Sequence, residues 1–306
     1  MSGVLNGVLP VFGLIALGWL LRRGAFLEES GWRAVERLSY FVLYPSFLIP
    51  AVWGADFGAG AAGPVAASTV GVTLAFAAVT LLARPLIRLD GPGFTSVFQG
   101  VIRWNGFVFL PVAAGVLGPD SVGLAALAFG ILAPAVNVVC VLVLTRWGEG
   151  QAGSLGGALT SLARNPIILS CATGALLNLS GLEPSGPVAG LIRLTGEAAV
   201  PLGLLVVGAG LSFSHAAGRP VTLGAIALIK LVALPVGMFL VCGWLGGDRT
   251  AQGVALLAGA APGAAAAYVM ARQMGGDAPL MAGSIAFTTV GSALTIPLLL
   301  IAFGYA

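Results

Sequence analysis

The sequence predicts an all-α polytopic membrane protein. It has ten transmembrane helices arranged as two inverted five-helix repeats, with helices 4 and 9 broken and crossing at mid-membrane. Three observations predict it. Charge is too scarce to coat a water-facing surface. Apolar runs of bilayer length follow one another with short connections. Prolines and glycines recur at about half the chain length.

Of the 306 residues, 58% are hydrophobic and 8% are charged. A soluble domain carries roughly 25% charged residues, so lipid must be the solvent for most of this chain. The net charge of +3 rests on few groups, and no basic run offers a surface for nucleic acid. Cys140, Cys171 and Cys242 lie in apolar segments, and their odd number argues against a disulfide framework or a zinc cluster. They read as small apolar fillers.

The ten segments follow from apolar runs between polar or Gly/Pro punctuation. The first, 4–21, has no charge before it and is closed by Arg22 and Arg23, so it is expected to be a mature helix rather than a cleaved leader. Segment 37–53 follows Arg33, and 63–83 ends at Arg84. Segment 96–117 follows Arg88 and holds the unusual run Val101–Pro111, "VIRWNGFVFLP". Segment 122–145 ends at Arg146, and 164–180 opens on Arg164. Segments 190–211 and 220–243 flank Arg219, while 251–271 and 279–302 flank Arg272.

A shift of 156 residues aligns Pro10 with Pro166, Gly18 with Gly174, Pro45 with Pro201 and Pro64 with Pro220. It also aligns Arg37-Leu38 with Arg193-Leu194 and Phe57 with Phe213, and a slightly different offset brings Gln99 onto Gln252. The expected repeats are 1–150 and 157–306. Five crossings per repeat is an odd number, so the second copy enters from the opposite side, as in many secondary transporters.

Arginine placement gives the orientation. Arg22, Arg23, Arg33, Arg37, Arg84, Arg88, Arg146, Arg164, Arg219 and Arg272 fall on one set of loops, against Arg193 and Arg249 on the other. The positive-inside rule makes the first set cytoplasmic and turns both termini outward.

The candidate site follows from the two odd segments. Asn105, Gly106 and Pro111 in segment 4, and Pro262 with Gly263 in segment 9, are expected to interrupt their helices near the bilayer centre. Freed backbone groups cannot face lipid, so they must face protein or a wet cavity. Gly259 and Gly263 form a pair of small residues one turn apart that permits close helix crossing. Arg103, Glu197 and Lys230 are charges within crossings, where each costs about 2.5–3.5 kcal/mol and so needs a partner or a task. Lys230 is deepest, while Arg103 and Glu197 are shallow enough to snorkel. Arg103 and Lys230 beside helix breaks favour an anionic solute, and Glu197 can carry a proton. Asn137, after Pro134, either lines the site or joins two helices. The substrate-binding candidates are therefore Arg103, Asn105, Gly106, Asn137, Pro262 and Gly263. The ion-coupling candidates are Glu197 and Lys230, and the crossover residues are Asn105, Pro111 and Pro262.

No phosphate-binding G-x-x-x-x-G-K-[ST] run and no H-E-x-x-H are present, and no nucleophile–base pair or metal-ligand set is visible. "GSLGG" at Gly153 reads as a linker and His215 as a solvated loop residue. No cofactor, metal or catalytic residue is expected.

The stretches Phe98–Gly118, Ala163–Leu182, Ala198–Leu211, Leu228–Pro235 and Ala261–Ile285 together resemble the auxin efflux carrier family, in its bacterial branch. The resemblance runs through nearly the whole chain. It implies a fold similar to sodium/proton antiporters and bile acid symporters. In that fold helices 1, 2, 6 and 7 form a scaffold and a homodimer surface, and helices 3–5 and 8–10 form a moving transport domain. It also implies a bacterial inner-membrane protein that moves small organic anions, auxin- or malate-like, by an elevator mechanism coupled to H+ or Na+. Segment 3 has no acidic residue, segment 9 is an alanine run, and the long cytoplasmic loop of plant members is absent. A sodium-coupled organic-anion symporter is the alternative. A membrane enzyme and a non-transporting sensor are the readings from other classes.

Overall fold

The structure, a computed structural model, describes residues 2–55, 61–150, 160, 163–182, 185–213 and 219–305. Phe57, the "GSLGG" run and His215 lie outside the described residues. Helix is the only regular secondary structure among the described residues, with no strand.

In chain order the helices are α1 (Ser2–Arg23), α2 (Glu29–Leu38), α3 (Tyr44–Trp53), α4 (Ala62–Leu82), α5 (Gly91–Ile102), α6 (Gly106–Leu117) and α7 (Ser121–Trp147). They continue as α8 (Pro166–Leu179), α9 (Gly186–Glu197), α10 (Ala199–Ala209), α11 (Pro220–Leu228), α12 (Leu234–Trp244), α13 (Arg249–Ala260), α14 (Ala265–Met274) and α15 (Ala278–Ala302). Two π-helical turns, Ser39–Leu43 and Ile229–Ala233, join α2 to α3 and α11 to α12 without a loop.

Seven of these stretches are long and apolar enough to cross a bilayer: 3–23, 62–82, 91–117, 121–147, 186–209, 220–244 and 278–302. The pair α13–α14, bent by 44° at its break, makes an eighth. Expected segments 2 and 6 do not reach that standard. The helix of segment 2 begins at Glu29 rather than at 37, and Glu29, Arg33, Glu36 and Arg37 make its first turns amphipathic. Arg33 and Arg37 are therefore helical residues, not loop residues. α8 has 14 residues, a length of ~21 Å against the ~30 Å of hydrocarbon.

Helix starts follow local chemistry. Asp90 and Asp248 cap the two broken segments, accepting hydrogen bonds from the Gly93 and Ala251 amides at 2.9 and 2.7 Å. Asn165 and Asp277 cap α8 and α15 in the same way. α14 ends on Gly275 in the left-handed conformation (φ 72°), with the Gly276 amide returning to the Ala271 carbonyl at 2.7 Å.

Packing is continuous through the bundle, with α1 meeting α6 and α3 meeting α7. α1 lies on α10, and α3 lies on α8 and α9. The other helices gather around α5–α6 and α13–α14: α7 packs on both halves of the first pair, α12 and α4 on α13, and α15 on α5 and α14. Glycines set the closest approaches between α1 and α10. A Cβ on Gly208 would lie 1.9 Å from the Ile15 carbonyl oxygen, and one on Gly18 would lie 2.1 Å from that of Leu205. The three cysteines are buried and unbridged.

The helix ends near Arg84, Arg146, Arg219 and Arg272 converge. Arg84 stacks on Phe94, Phe94 on Trp147, and Arg219 pairs with Asp277 at 3.0 Å. At the opposite end, Trp53 Nε1 donates to the Leu182 carbonyl, and Arg249 stacks on Tyr305 at 3.9 Å.

Candidate functional site

The site is built from two interrupted helices that lie side by side. α6 packs on α13 and α5 on α14, so each half of one segment meets one half of the other.

The second interruption is the simpler. α13 stops at Ala260, and Ala261 turns extended (φ −61°, ψ 136°). Its neighbour Pro262 forces this, because the pyrrolidine ring clashes with a helical residue before it. Two backbone groups that would have bonded each other in a continuous helix find other partners. The Gly263 amide donates to Thr288 Oγ1 at 3.1 Å, and that hydroxyl donates in turn to the Ser284 carbonyl at 2.7 Å. The Gly259 carbonyl accepts from Lys230 Nζ at 2.9 Å. α14 then begins at Ala265, and its N-cap residue, Ala264, supplies no side-chain cap.

The first interruption spans Arg103–Asn105, between α5 and α6. Asn105 is extended and its Oδ1 accepts from the Phe107 amide at 3.0 Å, restarting the helix. Trp104 is wedged between the rings of Phe109 and Phe129, each at 5.1 Å. Gly106 makes the close approach the sequence suggested: a Cβ there would sit 2.5 Å from the Phe129 ring. Pro111 is placed differently from expectation. It lies inside α6, past its first turn, and takes no part in the break. The asparagine cap and the packing of Trp104, not a proline, end α5.

Arg103 does not snorkel. Only 5% exposed, it turns inward to donate to Asn137 Oδ1 at 2.6 Å and to Met270 Sδ at 3.2 Å. It therefore ties α5 to α7 and α14, and its Nε has no protein partner. Asn137 joins helices and sits at the site at once.

Lys230 is completely buried in the π-helical turn between α11 and α12. Such turns push one residue out of the regular ladder and are frequent at functional sites. Here the turn delivers an ammonium to the negative end of α13, where a cation complements the helix dipole. Neither described ion pair involves Lys230. Close packing brings the donor there. A Cβ on Gly259 would lie 2.4 Å from Pro235 Cα, so the glycine lets α12 touch α13.

Glu197 is not brought to the breaks. It is exposed and lines a cleft of about 350 Å³ with Ser46, Pro50, Pro119 and Arg193, none of which belongs to either interruption.

Four residues at the interruptions escaped the sequence reading: Gln99, Met270, Ser284 and Thr288. Gln99 is 0% exposed and neither of its amide atoms has a protein partner, and Ser284 Oγ is likewise buried and unpaired. Leaving such a group unsatisfied costs about 1–3 kcal/mol. The sequence signal was there in principle, since a glutamine one turn before a break in an apolar helix is as exceptional as a charge.

Comparison with known proteins bears on the whole chain. Residues 154–300 match the sequence model of a family described as "Membrane transport protein". The chain is 28% identical over 314 aligned positions to a protein of Rhizobium meliloti (strain 1021) named "Putative malonate transporter", covering 97% of this chain and 94% of that one. It is 25% identical over 307 positions to an "Uncharacterized transporter" of Methanothermobacter thermautotrophicus, covering 97% of each.

Proposed function

We propose that the chain is a transporter of the auxin efflux carrier family and, from this premise, a secondary carrier of small organic anions. The observation that carries the reading is the meeting of two helix interruptions around a buried arginine. α14 starts without a side-chain cap, so its first amides point positive dipole at the break. Arg103 reaches the second turn of the same helix through Met270. An uncapped helix start and an incompletely paired guanidinium suit a carboxylate. The name of the Rhizobium meliloti relative points to malonate as the first solute to try.

The proposed architecture is ten crossings in two inverted repeats. Asp90 and Asp248 capping the two broken segments in corresponding positions support it, as does the mutual packing of their halves. Alternating access would move α4–α7 and α11–α15 against α1–α3 and α8–α10 by an elevator motion. The set α1–α3 and α8–α10 would carry any homodimer surface. The proposed location is an inner membrane, with the arginine-rich end cytoplasmic. Glu197, lining a cleft between helices of both sets, is the proposed proton carrier. Sodium coupling is the weaker alternative, because the Lys230 ammonium already takes the carbonyl freed at Gly259.

The test is uptake of labelled malonate into proteoliposomes holding the purified protein. Flux should depend on an imposed gradient and fall at least about tenfold in Arg103→Ala, the loss of one charge-assisted contact. Flux at the wild-type rate in that variant would reject the site.

A further inference from the structure

Gln99 and Ser284 are buried polar side chains for which the fold supplies no partner. Both belong to the seam where α5 meets α14 and α15. Residues four apart share one face of a helix, so Thr95 and Gln99 lie in a row on α5, and Arg103, whose amide still donates to the Gln99 carbonyl at 2.9 Å, follows one turn on at its end. Both ends of that row touch the same neighbour. Thr95 Oγ1 lies 2.9 Å from where a Gly276 Cβ would be, just past α14, and Arg103 donates to Met270 within α14. Gln99, between them, is itself wholly buried, in a seam where α14 contributes the wholly buried small residues Ala267 and Ala271. On the adjoining flank, Ser284 Oγ lies 2.9 Å from the Cβ position of Gly100.

We propose that Gln99, assisted by Ser284, holds the second oxygen-bearing end of an anion whose first carboxylate lies against Arg103, so that the carrier selects short dicarboxylates or hydroxy acids over monocarboxylates. This rests on the carrier reading above. Four residues of helical rise set the Gln99 and Arg103 backbones about 6 Å apart along the axis, a spacing on the scale of a three- or four-carbon diacid. The chemistry matches as well. The amide Nε2 and the serine hydroxyl donate to the oxygens of that end, and the amide Oε1 accepts from it when it carries an O–H. An acetate ion leaves all three groups unpaired, and a site built to hydrogen-bond discriminates strongly against the analogue that lacks the partner.

The experiment is calorimetric titration of the purified full chain with sodium malonate and sodium acetate, alongside thermal melting. The wild type should prefer malonate. Gln99→Met, of similar size, should weaken malonate about tenfold and leave acetate within about twofold. It should also melt no lower than wild type, because it removes an unpaired buried amide. A merely structural glutamine would instead lower the melting temperature and leave the preference intact, and either result overturns the proposal. Ser284→Ala carries the same expectation for selectivity and decides the matter if the methionine variant does not fold. A wild type that binds both salts equally overturns this inference alone. A wild type that binds neither takes the proposed function with it.

Discussion

Lys230 shows how a single residue's contribution is decided by competing magnitudes. Its Nζ satisfies the Gly259 carbonyl, and losing that bond costs about 1–3 kcal/mol. Holding a charge at mid-membrane costs about 2.5–3.5 kcal/mol. Lys230→Met removes both while keeping most of the side-chain volume. The two nearly cancel, so the melting temperature in detergent should stay level or rise slightly while malonate flux falls at least about tenfold, if the ammonium has a task in transport. A large drop in melting temperature would make Lys230 a structural residue. Arg103 differs because it binds three elements together, through Asn137 and Met270. Its contribution to packing and to solute capture cannot be separated by stability alone, and flux measured at matched protein recovery is the needed readout.

At the scale of the element, the important feature is that segment 9 is two short helices rather than one. Pro262 is the cause, and Thr288 and Lys230 make the break tolerable by pairing the groups it frees. Pro262→Ala restores the missing amide donor and lifts the restriction on Ala261, in a run where alanine is the best helix former. The variant should melt higher and transport less, because a continuous helix has no exposed amides at its centre. Unchanged flux in a variant shown to have straightened would remove the break from the mechanism. The first interruption teaches the complementary lesson. The sequence suggested Pro111 as a breaker, yet it is accommodated within α6 and the chain opens at Arg103–Asn105 instead. Trp104 finding a slot between two phenylalanine rings is a tertiary event, and no local rule could rank it above a proline.

At the scale of the molecule, the helix ends place Arg84, Arg219 and Arg272 together and Leu182 at the other end with Trp53. Positive-inside bias then predicts sidedness. The native cysteines are buried, so added ones can be read against a quiet background. Leu182→Cys, at a position 63% exposed, should react with a membrane-impermeant maleimide on intact cells. Leu86→Cys, at one 82% exposed, should react only after permeabilisation. The reverse pattern would invert the proposed topology.

The all-helical membrane class, the second break and the burial of the cysteines were legible because each depends on composition or on a residue's own covalent geometry. Scarcity of charge dictates a lipid solvent, and a proline in an apolar run dictates a backbone that must be satisfied elsewhere. Segment boundaries were less legible. Residues 29–36 read as a loop from their charges, although their amphipathic spacing extends a helix. The helix interruptions were legible, whereas the partners of the groups they free were not. Arg103, Asn105, Gly106, Asn137 and Gly263 all fall at the interruptions, whereas Glu197 lines a separate cleft.

The sequence by itself determined that this chain lives in a bilayer as helices, and that proline and asparagine stand where two of them open, since those are properties of single residues and their solvent. Only the tertiary structure decided what meets the opened backbone, a lysine brought by a π-helical turn and a threonine from α15, and which side chains on other helices the arginine at the first break holds. These partners lie between 25 and 167 residues from the groups they satisfy. Hydrogen bonding is a matter of angstroms in space, and no period along the chain encodes it.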